Sequence, residues 1–331
     1  MALHDLGYRH WEGRHRGIWR RRWTIAAHGL KAVLANRWMR YVLTGAWGIA
    51  LLESALLFCI GQLLVADSLV VQWSANLDPV FQTFVGGLTA WLEQHPEISV
   101  RTTQNLVFYN FSLIHLTLSL LAITLAIPHL ITRDLSSNAI IIYASKAVNR
   151  LDYLAGKLGI LLGLLTFTWL GPLIAAWMLG NLLAPDWHFF WHARGPLLNS
   201  LLFVGGGMLF LSLLGLAASA ISSKEKAAVG FWLLLWLVGN ALVPAAQHQQ
   251  SWLQHLSFRH NLKQVAEAIY QPKFELERAQ DNIPVLGDII RRTTQRHLRD
   301  WHPPRARPAA MTLGILALGS GLFLLRRTRT E

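Results

Sequence analysis

The sequence predicts an all-α polytopic membrane protein with about six transmembrane helices, preceded by an N-terminal amphipathic interfacial helix. Three observations carry this. The 331 residues are 53% hydrophobic and only 15% charged, where a soluble domain carries roughly 25% charged residues. The charge is blocky: long windows hold almost none of it and the gaps between them hold nearly all, the pattern of membrane spans. The basic residues flank those windows, so the formal net charge of +12 reads as membrane topology rather than as nucleic-acid binding.

The windows lie at 42–66, 106–131, 157–183, 197–221, 227–246 and 309–325. A helix needs about 20 apolar residues to cross the hydrocarbon. The last window is short, but Pro308 and Arg326-Arg327 close it.

Ahead of them, residues 1–41 form a basic segment, too long for a signal-peptide n-region, and are read as retained. Within it Trp19, Trp23, Ala26, Leu30, Val33 and Arg37 step by three or four residues, with Arg20, Arg21, Arg22 and Lys31 mostly off that stripe. This is the pattern of a helix lying in the membrane interface. Residues 42–246 then hold spans one to five, with an inner loop at 132–156, and residues 309–331 hold span six and a basic tail.

Orientation follows from Lys and Arg. Nine lie between Arg9 and Arg40; Arg133, Lys146, Arg150 and Lys157 follow span two; Lys224 and Lys226 follow span four; Arg326, Arg327 and Arg329 end the chain. The short segments on the other side hold only Arg101 and Arg194. The positive-inside rule puts the first group, and both termini, in the cytoplasm.

Segment 247–308 carries ten basic residues on the outer side, where the rule is weak for segments near 60 residues. Phe258, Leu262, Val265 and Ile269 lie at helical spacing, as do Leu286, Ile290 and Thr293. The expectation is a small extracytoplasmic helical element packed on the membrane face. The other outer segment, 67–105, is expected to be partly helical.

The inner loop is the informative stretch. It runs Arg133-Asp134, Ser136-Ser137-Asn138-Ala139, Ile140-Ile141-Ile142-Tyr143, Ser145-Lys146-Ala147-Val148-Asn149-Arg150 and Asp152-Tyr153-Leu154-Ala155-Gly156-Lys157. It is longer than a tether needs, and its Ile run is too apolar for a solvated linker. The loop resembles that between spans two and three of ABC-2-type ABC transporter permeases. Arg133-Asp134 fit the family's opening, Ser145, Val148, Asn149 and Arg150 its core, and Tyr153, Leu154, Gly156 and Lys157 the start of span three. Ala147 departs from the family's proline, and Asn138-Ala139 from its Gly-Thr or Gly-Ser. The match covers about 25 residues.

The resemblance implies a permease, expected to work in the export direction, that forms the translocation pathway as a homo- or heterodimer in a bacterial cytoplasmic membrane. It implies a separate ATPase subunit met by a coupling helix in the loop. Arg133, Asp134, Ser145, Lys146, Asn149, Arg150, Asp152, Tyr153 and Lys157 are then the coupling residues. The chain has no Gly-x-x-x-x-Gly-Lys-Ser/Thr; Gly156-Lys157 is followed by Leu158. ATP and Mg²⁺ therefore belong to the partner, and this chain is expected to have no catalytic chemistry and no bound cofactor. The other partner is the lipid bilayer, with no nucleic acid. Two other readings stay open: a membrane scaffold or assembly factor without a transport pathway, and an integral-membrane enzyme.

Glu53 lies near the middle of span one with no charged neighbour there. A charge at that depth is costly and faces the bundle interior or water. It is either a pathway residue or a packing group bonded to Gln62, His115 or His129. His188 and His192 have metal-compatible spacing, but they sit in an interfacial aromatic run and read as anchors. Cys59 is the single cysteine, so no intrachain disulfide forms. Gly205-Gly206-Gly207 and Gly215 suggest close helix packing, and Gly171-Pro172 and Pro244 suggest kinks.

Overall fold

The computed structural model describes residues 17–63, 68–74, 76, 78–139, 149–184, 187–241, 243, 253–282 and 304–328. Of these, 91% are helical and none is in a strand, so the chain is all-α. Five helical runs are long and apolar enough to cross a membrane: Arg37–Gln62, Pro96–Ser136, Arg150–Leu182, Phe189–Ala220 and Ala306–Arg327.

The helices are α1 (Ile18–Leu34), α2 (Arg37–Gln62), α3 (Leu69–Ser74), α4 (Pro79–Gln94), α5 (Pro96–Ala126), α6 (Ile131–Ser136), α7 (Arg150–Leu165), α8 (Gly171–Leu182), α9 (Trp187–His192), α10 (Arg194–Ala220), α11 (Glu225–Leu233), α12 (Phe258–Tyr270), α13 (Pro272–Asn282) and α14 (Ala306–Arg327). The expected fifth window starts in α11, passes through a π-helical turn at Leu234–Val238 and is helical to residue 241. Its unbroken described helix, residues 225–241, rises about 25 Å, and residue 243 is helical as well.

The expected bend near Gly171-Pro172 is present, and its form is a π-helical turn over Thr166–Leu170 joining α7 to α8. Pro172 has no N–H to return to the preceding turn, and widening that turn by one residue accommodates the loss. A Cβ at Gly171 would stand 2.7 Å from the Thr166 carbonyl oxygen, so glycine is required where the backbone closes. Pro244 lies outside the described residues.

Glycine also decides how α1 sits. A Cβ at Gly156 would meet Ile25 at 2.7 Å, one at Gly159 would meet Ala26 at 2.9 Å, and one at Gly163 would meet Leu30 at 2.9 Å. Helix α1 is thus laid into a groove of missing side chains along α7. The expected stripe divides: Ala26, Leu30 and Val33 turn toward protein, while Trp19 and Trp23 are 79% and 72% exposed. Helix α2 continues in the same direction along α8, with Trp47 near Gly171, Leu57 against Gly180 and Gly61 against Ala184. The first and third spans therefore run parallel, as alternate spans must.

The core lies between α5, α7, α8 and α10. Trp169 packs edge-on to Phe203 at 5.6 Å and over Gly207, and Ile123 fills the space at Gly215. Gly207 and Gly215 thus serve close contact, while Gly205 and Gly206 have nothing near.

In segment 247–308 the stretch of Phe258, Leu262, Val265 and Ile269 lies on α12, and Leu286, Ile290 and Thr293 lie outside the described residues. Helix α12 packs against α5, α10 and α14. Phe258 meets Trp232 and Phe210, and Tyr270 meets Phe203 and Tyr109. One face of the helix is buried against these neighbours, through Phe258, Leu262, Ala266 and Tyr270. Ser257 caps its start and Gln271, left-handed at φ 50°, ends it before Pro272 opens α13. In segment 67–105 the helices are α3, α4 and the start of α5.

Candidate functional site: an anchored loop and an interior carboxylate

The two ends of the described bundle differ in chemistry. At one end the helix after span two breaks at Leu130, whose backbone leaves the helical region at ψ −125°. Its carbonyl therefore loses its place in the helical ladder. Lys157, at the start of span three, donates to that carbonyl at 3.0 Å and pairs with Asp134 at 2.6 Å. The Tyr153 hydroxyl donates to the same carboxylate oxygen, Asp134 Oδ2, at 2.6 Å. Asp134, Tyr153 and Lys157 are all at most 8% exposed. A pair this dry is kept only when both charges find further hydrogen bonds, and here each does.

A second pair lies beside it. Asp152, 6% exposed, accepts from Arg22 Nε and pairs with Arg22 Nη2, both at 2.6 Å. It ties α1 to α7 below the glycine groove. Thr132 donates to the Ser219 carbonyl at 2.6 Å, and Arg327 to that of Ala220 at 3.3 Å. The ends of spans two, four and six thus meet at the same level.

The sequence-derived coupling residues separate into two sets. Asp134, Asp152, Tyr153 and Lys157 are held inside the protein. Arg133, Asn149 and Arg150 are exposed, and Asn149 stands at the N-cap of α7 without a side-chain capping bond. Ser145 and Lys146 lie outside the described residues. Asn138, at φ 54°, takes the left-handed position that ends α6. Asparagine tolerates that conformation.

At the opposite end is a buried polar network not foreseen from the sequence. Glu275 of α13 accepts from Thr102 at 2.5 Å and from Asn105 at 2.9 Å. Asn199 donates to Asn105 at 3.2 Å, and Gln104 to Asn181 at 2.8 Å. Tyr109 donates to Glu267 at 3.3 Å, and the hydroxyls of Ser112 and Tyr270 lie 3.1 Å apart. The signal was the Thr102-Thr103-Gln104-Asn105 run before span two together with Glu267 and Glu275, eight residues apart. Nothing in one sequence says that distant polar residues share an interior.

Between the two ends sits Glu53, 1% exposed, with no hydrogen-bond partner for either carboxylate oxygen. None of the three expected partners bonds it. His115 turns its ring nitrogens to the carbonyls of Phe111 and Ala46, at 2.9 and 3.2 Å. Among the described residues no group of three His, Cys, Asp or Glu side chains could hold a metal ion. His192 ends the six-residue helix α9, and Cys59 is exposed.

Fold and spans define the chain as a multi-pass α-helical membrane protein. No protein-family model matches it, and no curated protein matches its sequence.

Proposed function

We propose that this chain is the permease subunit of an ATP-driven transporter of the ABC-2 type, an exporter that works as a pair with two ATPase subunits. In this reading it lies in a bacterial cytoplasmic membrane with both termini inside. The observation that carries the reading is the anchoring of the loop between spans two and three. Its roots, α6 and α7, are joined by the Asp134–Tyr153–Lys157 cluster, and α7 is joined to α1 by Arg22 and Asp152. A loop that only tethers two spans needs no such fixation.

The mechanism follows from the stiffness of that end. A partner pressing on the loop moves α6 and α7 as one piece, because sliding them apart leaves two charges buried without partners. The motion passes directly into spans two and three, and through the glycine groove into α1 and span one. Packed interfaces shift between discrete arrangements rather than deform continuously, so the bundle switches between inward- and outward-open states. Asp134, Asp152, Tyr153 and Lys157 act here as positioning residues. Arg133, Asn149 and Arg150 present the surface that meets the ATPase. Arg133, Arg150, Lys224, Lys226, Arg326 and Arg327 all belong to this end of the bundle, which supports placing it in the cytoplasm.

The test is site-directed crosslinking. Arg150→Cys is introduced in a Cys59→Ser background and a short bifunctional reagent is applied to native membranes. The expected product is a covalent adduct with a subunit that carries a Walker motif. Adducts with lipid or with the same chain alone contradict the reading.

A further inference from the structure

Buried acceptors among the described residues of this bundle meet donors almost everywhere, and the exceptions are few. Asp134, Asp152, Glu267 and Glu275 each meet a donor. Among the described residues, the buried side-chain atoms that can only accept and have no partner are three: the two carboxylate oxygens of Glu53 and Oε1 of Gln104. Gln104 is 0% exposed and spends its amide nitrogen on Asn181.

Helix α8 brings them together. Glu53 lies one turn before Leu57, which packs on Gly180 so closely that a Cβ there would stand 2.5 Å from Leu57 Cβ. Asn181, the next residue, receives Gln104. Glu53 of α2 and Gln104 of α5 thus reach the same stretch of α8, about one helical turn apart along it. The surroundings on these helices are mostly apolar: Ala50, Leu57, Ala176 and Trp177 are buried, with Ser54 and Asn181 the buried polar residues beside them. Two buried or half-buried cations of the bundle are engaged elsewhere, Lys157 by Asp134 and Arg259 by Thr117. Among the described residues no side chain donates a hydrogen bond to Glu53.

We propose that Glu53 and Gln104 form an intramembrane recognition site for a primary ammonium group carried on an apolar body. The proposal rests on the permease reading and names its cargo class. An ammonium offers three N–H donors and no acceptor, which complements three acceptor oxygens without donors. An anionic cargo meets Glu53 as a like charge. The apolar lining suits the body of the cargo. The bundle is closed over the site in this arrangement, so binding belongs to the state in which α2 parts from α8.

The experiment uses the full chain in lipid nanodiscs and needs no ATPase, so its outcome is separate from that of the crosslinking. The probes are hexylammonium, hexyltrimethylammonium, hexanol and hexanoate, and the readout is the thermal unfolding midpoint followed by tryptophan fluorescence. The expected result is a saturable rise with hexylammonium that is lost in Glu53→Gln. In Gln104→Leu the half-saturating concentration rises about tenfold, as for one charge-assisted or strong hydrogen bond. Hexyltrimethylammonium, which has no N–H, and the other two probes give no saturable rise. The proposal is overturned if wild type shows no saturable response to hexylammonium, if Glu53→Gln responds as wild type does, or if hexanol reproduces the effect. Glu53 is then a packing group that keeps its own proton.

Discussion

Lys157 and Asp134, 23 residues apart in sequence, meet at 2.6 Å where span three begins and the helix after span two breaks. One lysine thus satisfies a carboxylate and the orphaned carbonyl of Leu130 together. Because the site is dry, removing either partner strands a charge.

Lys157→Met is therefore expected to destabilise the protein by about 3–5 kcal/mol, the range for breaking a buried pair. Asp134→Asn in the same chain is expected to restore a large part of that loss. Denaturant unfolding of the two single variants and the double variant in mild detergent measures the coupling. Additive losses contradict the clamp.

Close approach of α2 to α8 rests on Gly180. Gly180→Ala places a methyl group 2.5 Å from Leu57 Cβ and is expected to cost about 1–3 kcal/mol by overpacking. Leu57→Ala in the Gly180→Ala chain is expected to restore little of the loss, because the closest contact is with the Cβ that alanine keeps. Gly205→Ala, in the same kind of helix but with nothing within 4 Å, is expected to be neutral or slightly stabilising, since alanine favours helix by up to about 1 kcal/mol. Thermal unfolding of the three variants orders them.

Glu275 holds α13 to α5 through Thr102 and Asn105. Glu275→Ala leaves two buried donors unmet, and each such loss costs about 1–3 kcal/mol. The local prediction is sharper than the global one: backbone amides of Pro272–Asn282 lose hydrogen-exchange protection while those of α10 keep it. Uniform loss along the chain contradicts a local anchor.

Much of the fold was legible because lipid imposes a simple rule. Every buried backbone group must be bonded within its own segment, so apolar length alone located the spans. Glycine spacing at Gly156, Gly159 and Gly163 was also in plain view, but a sequence does not say which helix fills such a groove. The resident is α1, and that turned part of an expected lipid-facing stripe toward protein. The loop residues were found as a set, yet their division was hidden. Asp134 and Arg133 are neighbours in sequence, and only the helix break at Leu130 decides that one is buried and the other exposed. The polar network around Glu275 was not legible at all, since its members come from segments some 170 residues apart.

The measurement that bears most directly on the permease reading is affinity capture of the full chain from gently solubilised native membranes. Wild type is compared with an Arg133→Glu/Arg150→Glu variant, whose changes lie on exposed side chains and leave the buried pairs intact. The expected result is that wild type retains a subunit with a Walker motif, and the variant, equally folded, retains it at least about tenfold less, as loss of charged contacts at an interface does. If neither form retains an ATPase, the chain is not a coupled permease and the scaffold reading takes its place.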